Sequence, residues 1–205
     1  MPSNPIFTQT WHTAWSPYAL PAPSELFQQL LAAYDQPQRH YHTRQHLQEC
    51  LQHLAQTQHL AEQPAAVCLA LWFHDAVYAV QAHDNEAQSA AWAKTALIQH
   101  GISVDVADRV AALVMATEHH ALPTDTDAQL LVDIDLAILA TDQARFAEYE
   151  QQIQQEYAWV EPAVFVQKRR EVLSGFLARP RIYQTAYFAQ RYEQQARQNL
   201  QLAIG

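Results

Sequence analysis

Residues 65–78 read AAVCLALWFHDAVY, and this stretch decides the fold class. Pro64 stands where a helix tolerates proline, in its first turn, and the residues after it are apolar on nearly every side. A helix without a polar face belongs at the centre of a helical assembly rather than on its surface. Outward from it, apolar residues recur at steps of three and four, and Ala, Gln, Leu and Glu dominate with few β-branched runs. The expected architecture is all-α, a single-domain bundle over 1–205. Its motif-bearing core covers about 24–140, and the C-terminal helices, about 142–200, pack on that core.

Individual helices follow from caps and stops. Ser24 to Asp35 forms one, with Ser24 as N-cap, and Pro37 closes it. Thr43 caps the next, which carries Leu47, Cys50, Leu51 and Leu54 on one face. After the central helix, Asp84 or Asn85 opens a helix to about His100, where Gly101 supplies the stop. Ser103 or Asp105 opens another, and HHALPTDTD reads as a loop. Further helices cover Gln129 to Leu139, Asp142 to about Trp159, and Pro162 to Leu177 with Val164, Phe165, Leu173 and Phe176 inward. A last one follows Pro180 and ends near Leu200.

The formal charge of -9, with 12 Lys and Arg among 205 residues, argues against nucleic-acid binding, which needs clustered cations. Two cysteines, Cys50 and Cys68, make neither a disulfide framework nor a cysteine zinc site. Three glycines, none close together, exclude a phosphate-binding glycine loop. The first residues lack the pattern of a secretory signal and no stretch is long and apolar enough for a bilayer, so a cytoplasmic protein without a membrane partner is expected.

Eleven histidines are the unusual feature. Ligand-type side chains gather in YHTRQH (41–46), where His42 and His46 share one side of a helix start, in His74-Asp75, and in Asp133-Ile134-Asp135. Charged or imidazole side chains in such apolar surroundings are costly unless paired, hydrogen-bonded or bound to metal. Two His and two Asp combine borderline nitrogen with hard oxygen, a set suited to Mn, Fe, Zn, Co or Ni, with Mg a further candidate. Isolated histidines such as His53, His59 and His100 read as surface or satisfied core residues. Lys168-Arg169-Arg170 reads as a solvated or structural run.

The order of an early helical His, a His-Asp pair and a distant Asp resembles the HD superfamily of metal-dependent phosphohydrolases. The wider pattern (YHTRQHL, FHDAVY, DNEAQSA, VDIDLAILA, IQQEY, VLSGFLARPRIY, EQQARQNL) is similar to the bacterial group of predicted HD-superfamily metal-dependent phosphohydrolases, over nearly the whole chain. The resemblance implies His46, His74, Asp75 and Asp135 as metal ligands, with Asp133 the alternative to Asp135. YHTRQH also looks like the YHNxxH segment of cyclic-nucleotide phosphodiesterases, with Thr43 in place of Asn. That likeness makes His42 a candidate proton donor, against a purely structural role in the first turn. Glu86 and Asp84 are candidates for orienting water, although Asp84 serves equally as an N-cap. Arg44 and His120 are candidates for binding substrate phosphate, and His119 ranks behind His120. The implied activity is hydrolysis of a phosphate ester of a nucleotide or related small metabolite. The alternatives are a phosphodiesterase or pyrophosphohydrolase of a signalling nucleotide and an HD-like module that binds without turnover. A homodimer is one candidate assembly, and the sequence leaves the oligomeric state open.

Overall fold

A computed structural model of the chain describes residues 5–118 and 122–205, and among them no strand occurs. The chain separates into two units, 1–131 and 132–205, the division falling inside a helix. The first holds α1 (Pro5–Trp15), α2 (Ser24–Tyr34), α3 (Arg44–Thr57), α4 (Pro64–Phe73), α5 (Asn85–Gln99) and α6 (Val104–Met115). The helix α7 (Thr126–Asp135) crosses the division. The second unit continues with a 3-10 turn (Leu136–Ala140), α8 (Gln143–Glu156), α9 (Pro162–Ala178) and α10 (Ala186–Ile204). The all-α reading is what the chain adopts.

The apolar segment sits where its composition sends it. Ala66 through Phe73 are all buried, and α4 packs against α1, α3, α5 and α6. Trp72 is fully buried among aromatic rings from two other helices, Phe7 and Trp11 of α1 and Phe27 of α2, at centroid distances of 5.8, 5.2 and 5.5 Å. Burial of side chains this size contributes roughly 2–3 kcal/mol each. The N-terminal end of α4 is tied down by Asp127, which is fully buried. Its carboxylate accepts from the backbone N–H groups of Glu62 (2.7 Å) and Gln63 (3.1 Å) and from Arg109 (3.1 Å).

Several boundaries differ from those expected. The helix expected over Gln129 to Leu139 starts earlier, at Thr126 within the segment read as a loop, and tightens to the 3-10 turn after Asp135. The helix α1 was not anticipated, because PIFTQTWHTAW carries three threonines and large aromatics, weak helix formers. Burial of Phe7, Trp11, Ala14 and Trp15 along one stripe overrides that preference. Ser24 is the first helical residue, and Pro23 takes the cap position. The helix α4 stops at Phe73, so His74-Asp75 lies in the turn just beyond its end rather than inside it. The last helix begins at Ala186, because residues 182–185 spend their N–H groups elsewhere. Ile182 and Tyr183 donate to Glu193, and Gln184 and Thr185 donate to Asp133. Of the residues expected inward on α9, Leu173 is buried, whereas Val164 is exposed.

Several caps form as read. Thr43 accepts from Gln45 N–H, Ser103 from Val106 N–H, and Asp142 from Arg145 N–H. Gly101 has φ +92° behind α5, and the N–H groups of Gly101 and Ile102 return to the carbonyls of Ile98 and Leu97, both at 3.0 Å. That is a Schellman stop. A Cβ there would meet only ordinary contacts with Leu20, so the cost of Gly101→Ala is backbone strain. It should lower stability by about 1–2 kcal/mol, measured by urea unfolding, and an unchanged midpoint would contradict the strain argument.

In the second unit the C-terminal helix acts as a brace. Asn199 donates to the carbonyls of Leu139 (2.9 Å) and Thr141 (2.8 Å), closing the 3-10 turn after Asp135. Arg197 donates to the carbonyls of Leu177 and Arg179 at the end of α9 and pairs with Glu193. The motif EQQARQNL is therefore built to satisfy backbone carbonyls. No helix among the described residues is long and apolar enough to cross a membrane.

Candidate metal centre

Three side chains of the first unit bring their ligand atoms together. His46 lies in the first turn of α3, fixed by the Thr43 cap. His74 and Asp75 follow α4 directly. His46 Nε2 and His74 Nε2 are 3.0 Å apart, Asp75 Oδ2 is 3.0 Å from His74 Nε2, and it is 3.4 Å from His46 Nε2. Both histidines are buried, and 17% of the Asp75 side chain is exposed. The imidazoles of His46 and His74 thus converge instead of facing different sides of the molecule.

The proton positions sharpen this picture. His74 Nδ1 lies 2.8 Å from the carbonyl oxygen of Leu71, which can only accept, so Nδ1 carries the hydrogen. In the neutral ring Nε2 then presents a bare lone pair. His46 Nδ1 is 3.0 Å from the Tyr41 hydroxyl, a partner that fixes the ring with Nε2 toward His74. Such outer partners are what orient metal-binding imidazoles. Asp75 Oδ2 is buried, and no hydrogen-bond donor among the described residues is properly aimed at it. Burial alone would raise the Asp75 carboxyl; the imidazoles of His74 and His42, in their protonated forms, outweigh it and hold the group well below the usual carboxylate range.

Two imidazole nitrogens and a carboxylate oxygen at these separations match one face of a coordination sphere. Donors about 2.1 Å from an ion lie roughly 3.0 Å apart when adjacent in an octahedron and roughly 3.4 Å apart in a tetrahedron. Cys50, one helical turn after His46, adds a buried thiol 3.8 Å from both ring nitrogens of His46. His46, Cys50 and His74 form a buried group that could hold a metal ion. On the apolar face with Leu47, Leu51 and Leu54, Cys50 has the pattern of a core residue; its step of four from His46 is the signal in the sequence.

Compared with models of protein families, with curated proteins and with solved structures, the chain matches none. The chemistry of the site therefore rests on its own residues.

The other candidates fall in different places. His42 is half-buried and stacks on Tyr78, centroids 4.1 Å apart, with its ring 6.0 Å from that of His46. Arg44 pairs with Asp35 and donates to the carbonyl of Leu31, so its guanidinium is directed to α2. Asp84 is exposed at the cap position of α5 without making a side-chain cap, and Glu86 is half-buried in the first turn. Neither belongs to the converging group. The neighbouring motif residues hold the turn after Asp75: Asn85 exchanges two hydrogen bonds with Ala79, and Ser89 two with Val77. His119 and His120 lie outside the described residues.

The two aspartates of the third cluster have separate surroundings. Asp133 is fully buried, and its carboxylate accepts from Gln184 N–H (2.8 Å), Thr185 N–H (2.7 Å) and the Thr185 hydroxyl (2.6 Å). Its lone pairs are committed to the start of α10. Burial nonetheless pushes its carboxyl up to about 6, against the pull of those donors. Asp135 ends α7 and is half-buried.

Sequence reasoning missed Arg39. This arginine, only 4% exposed, donates to the carbonyls of Asp75 (2.6 Å), Ala76 (3.0 Å) and His42 (3.1 Å).

Proposed function

We propose that the chain is a metal-dependent phosphohydrolase that cleaves a phosphate ester of a nucleotide or related small metabolite. The observation that carries this reading is the convergence of His46 Nε2, His74 Nε2 and the unsatisfied Asp75 Oδ2 within 3.0–3.4 Å of one another. The likeness of the motif order to the HD superfamily supports it and supplies the fourth ligand, Asp135. The engagement of Asp133 with α10 favours that choice. The neighbouring Cys50 thiol favours Zn, Fe or Co over Mg.

A bound ion of this kind supplies a nucleophilic water at neutral pH and polarises a phosphoryl oxygen. The remaining tasks belong to the chain. His42 would hold the proton that the leaving oxygen needs, its ring kept in place by stacking on Tyr78. Glu86, on the helix that anchors the turn after Asp75, would orient the attacking water. Arg44 would meet substrate phosphate by exchanging its exposed pair with Asp35.

Purified protein should contain a transition metal in stoichiometric amount and release phosphate from a panel of mono- and dinucleotides with Mn present. Chelation should abolish that release. His42→Ala should keep its metal and turn over roughly 100-fold more slowly, measured as kcat on the panel's best substrate. Metal-free protein that hydrolyses nucleotides as well as loaded protein would defeat the reading.

A further inference from the structure

The ligand-bearing segments of the first unit meet at one buried cation. Arg39 lies in the segment between α2 and α3, and its N–H groups serve at least four acceptors among the described residues. Nε donates to Gln36 Oε1 (3.2 Å), Nη1 to the carbonyls of His42 (3.1 Å) and Asp75 (2.6 Å), and Nη2 to that of Ala76 (3.0 Å). Its guanidinium carbon lies 5.3 Å from the Tyr34 ring centroid and 5.4 Å from that of Tyr78. Tyr34 in turn donates its hydroxyl to the carbonyl of Trp72 (3.3 Å), in the last turn of α4.

We infer that Arg39 is the positioning residue of the metal centre, fixing the Asp75 carboxylate and the segment leading to His46 in ligating register by clamping their backbones. The inference rests on the metal reading above. The chemistry of the group explains why arginine stands there. A planar fork reaches several acceptors at once in fixed directions, whereas a lysine ammonium is a compact point charge on a flexible stem. The acceptors are not generic carbonyls. One belongs to Asp75 itself, one to the residue after it, and one to His42, four residues before His46. The carbonyls of Asp75 and Ala76 lie past the end of α4, where a cation also answers the negative end of the helix dipole. Arg39 touches neither ion nor substrate; it acts through the ligands.

The test compares metal affinity, by competition with a chromogenic chelator, and the visible spectrum of Co(II)-loaded protein across variants. Arg39→Lys keeps the charge but loses the fork. It should bind metal 10–100-fold more weakly, the usual size of an outer-shell loss, and show an altered Co(II) spectrum. Arg39→Ala should bind more weakly still and regain affinity when guanidinium is added at low millimolar concentration. Arg109→Lys is the control for loss of a structural fork, since Arg109 holds Asp125 and Asp127. It should lower thermal stability and leave metal affinity unchanged. Wild-type affinity and spectrum in Arg39→Lys would overturn this inference while leaving the metal reading intact. Wild-type protein that takes up no ion would overturn both. If Arg39→Ala fails to fold, Arg39→Lys decides.

Discussion

His74→Ala protein is expected to emerge from purification without metal and to hydrolyse phosphate esters at least about a thousandfold more slowly than wild type. The loss is large because the imidazole cannot be replaced by a neighbour. Its Nε2 is the atom shared by the two shortest donor separations, 3.0 Å to His46 and 3.0 Å to Asp75. Its other nitrogen is already used on the Leu71 carbonyl. Removing the ring also leaves a cavity at a position only 1% exposed, so a stability loss of about 1–3 kcal/mol should accompany the loss of function. Elemental analysis and phosphate release separate the two effects, because circular dichroism at low temperature should still report folded helix. Retention of stoichiometric metal by His74→Ala would remove the centre from the argument.

The second large effect distinguishes two carboxylates that lie two residues apart. Asp135→Asn should lose metal and at least about a hundredfold in activity, as expected for a ligand whose charge neutralises the ion. Asp133→Asn should keep both. What Asp133→Asn changes is stability. An amide nitrogen placed against the N–H and hydroxyl of Thr185 loses an acceptor for about 1–3 kcal/mol at neutral pH. The pH dependence has a definite sign. The folded carboxyl, at about 6, lies above its ordinary value of 3.8. The favourable contribution of its protonated form is full below about pH 4 and is lost as pH rises through 6. The stability difference between wild type and Asp133→Asn, which does not titrate, should therefore shift against wild type over that window. Equal metal contents in Asp135→Asn and wild type, with loss in Asp133→Asn, would reverse the assignment.

The fold class and the central helix were legible because a segment apolar on all sides has one stable place to go. Where that helix ends was not. AAVCLALWFHDAVY carries no glycine or proline near His74, and the turn that follows is held by distant partners: Ser89 takes the Val77 N–H, and Arg39, 36 and 37 residues earlier, takes the carbonyls of Asp75 and Ala76. Arg44 sits between two histidines, yet its guanidinium goes to Asp35. Arg39, outside the motif read as chemical, holds that motif's backbone. The choice between Asp133 and Asp135 has the same character: identical side chains in one apolar run, separated by partners at Gln184 and Thr185 that no local pattern announces. Patterns of period 3.6 expose burial. They do not expose which distant backbone a buried charge will serve.

The all-round burial of α4 has a kinetic side. A helix with no solvent face has no cheap partial opening: freeing α4 disturbs α1, α3, α5 and α6 together. Because His74 and Asp75 are joined directly to that helix, an ion seated between them would depart on the slow clock of concerted breathing, and not on the fast clock of side-chain rotation. Long residence, as distinct from tight equilibrium, is then a property conferred by the core.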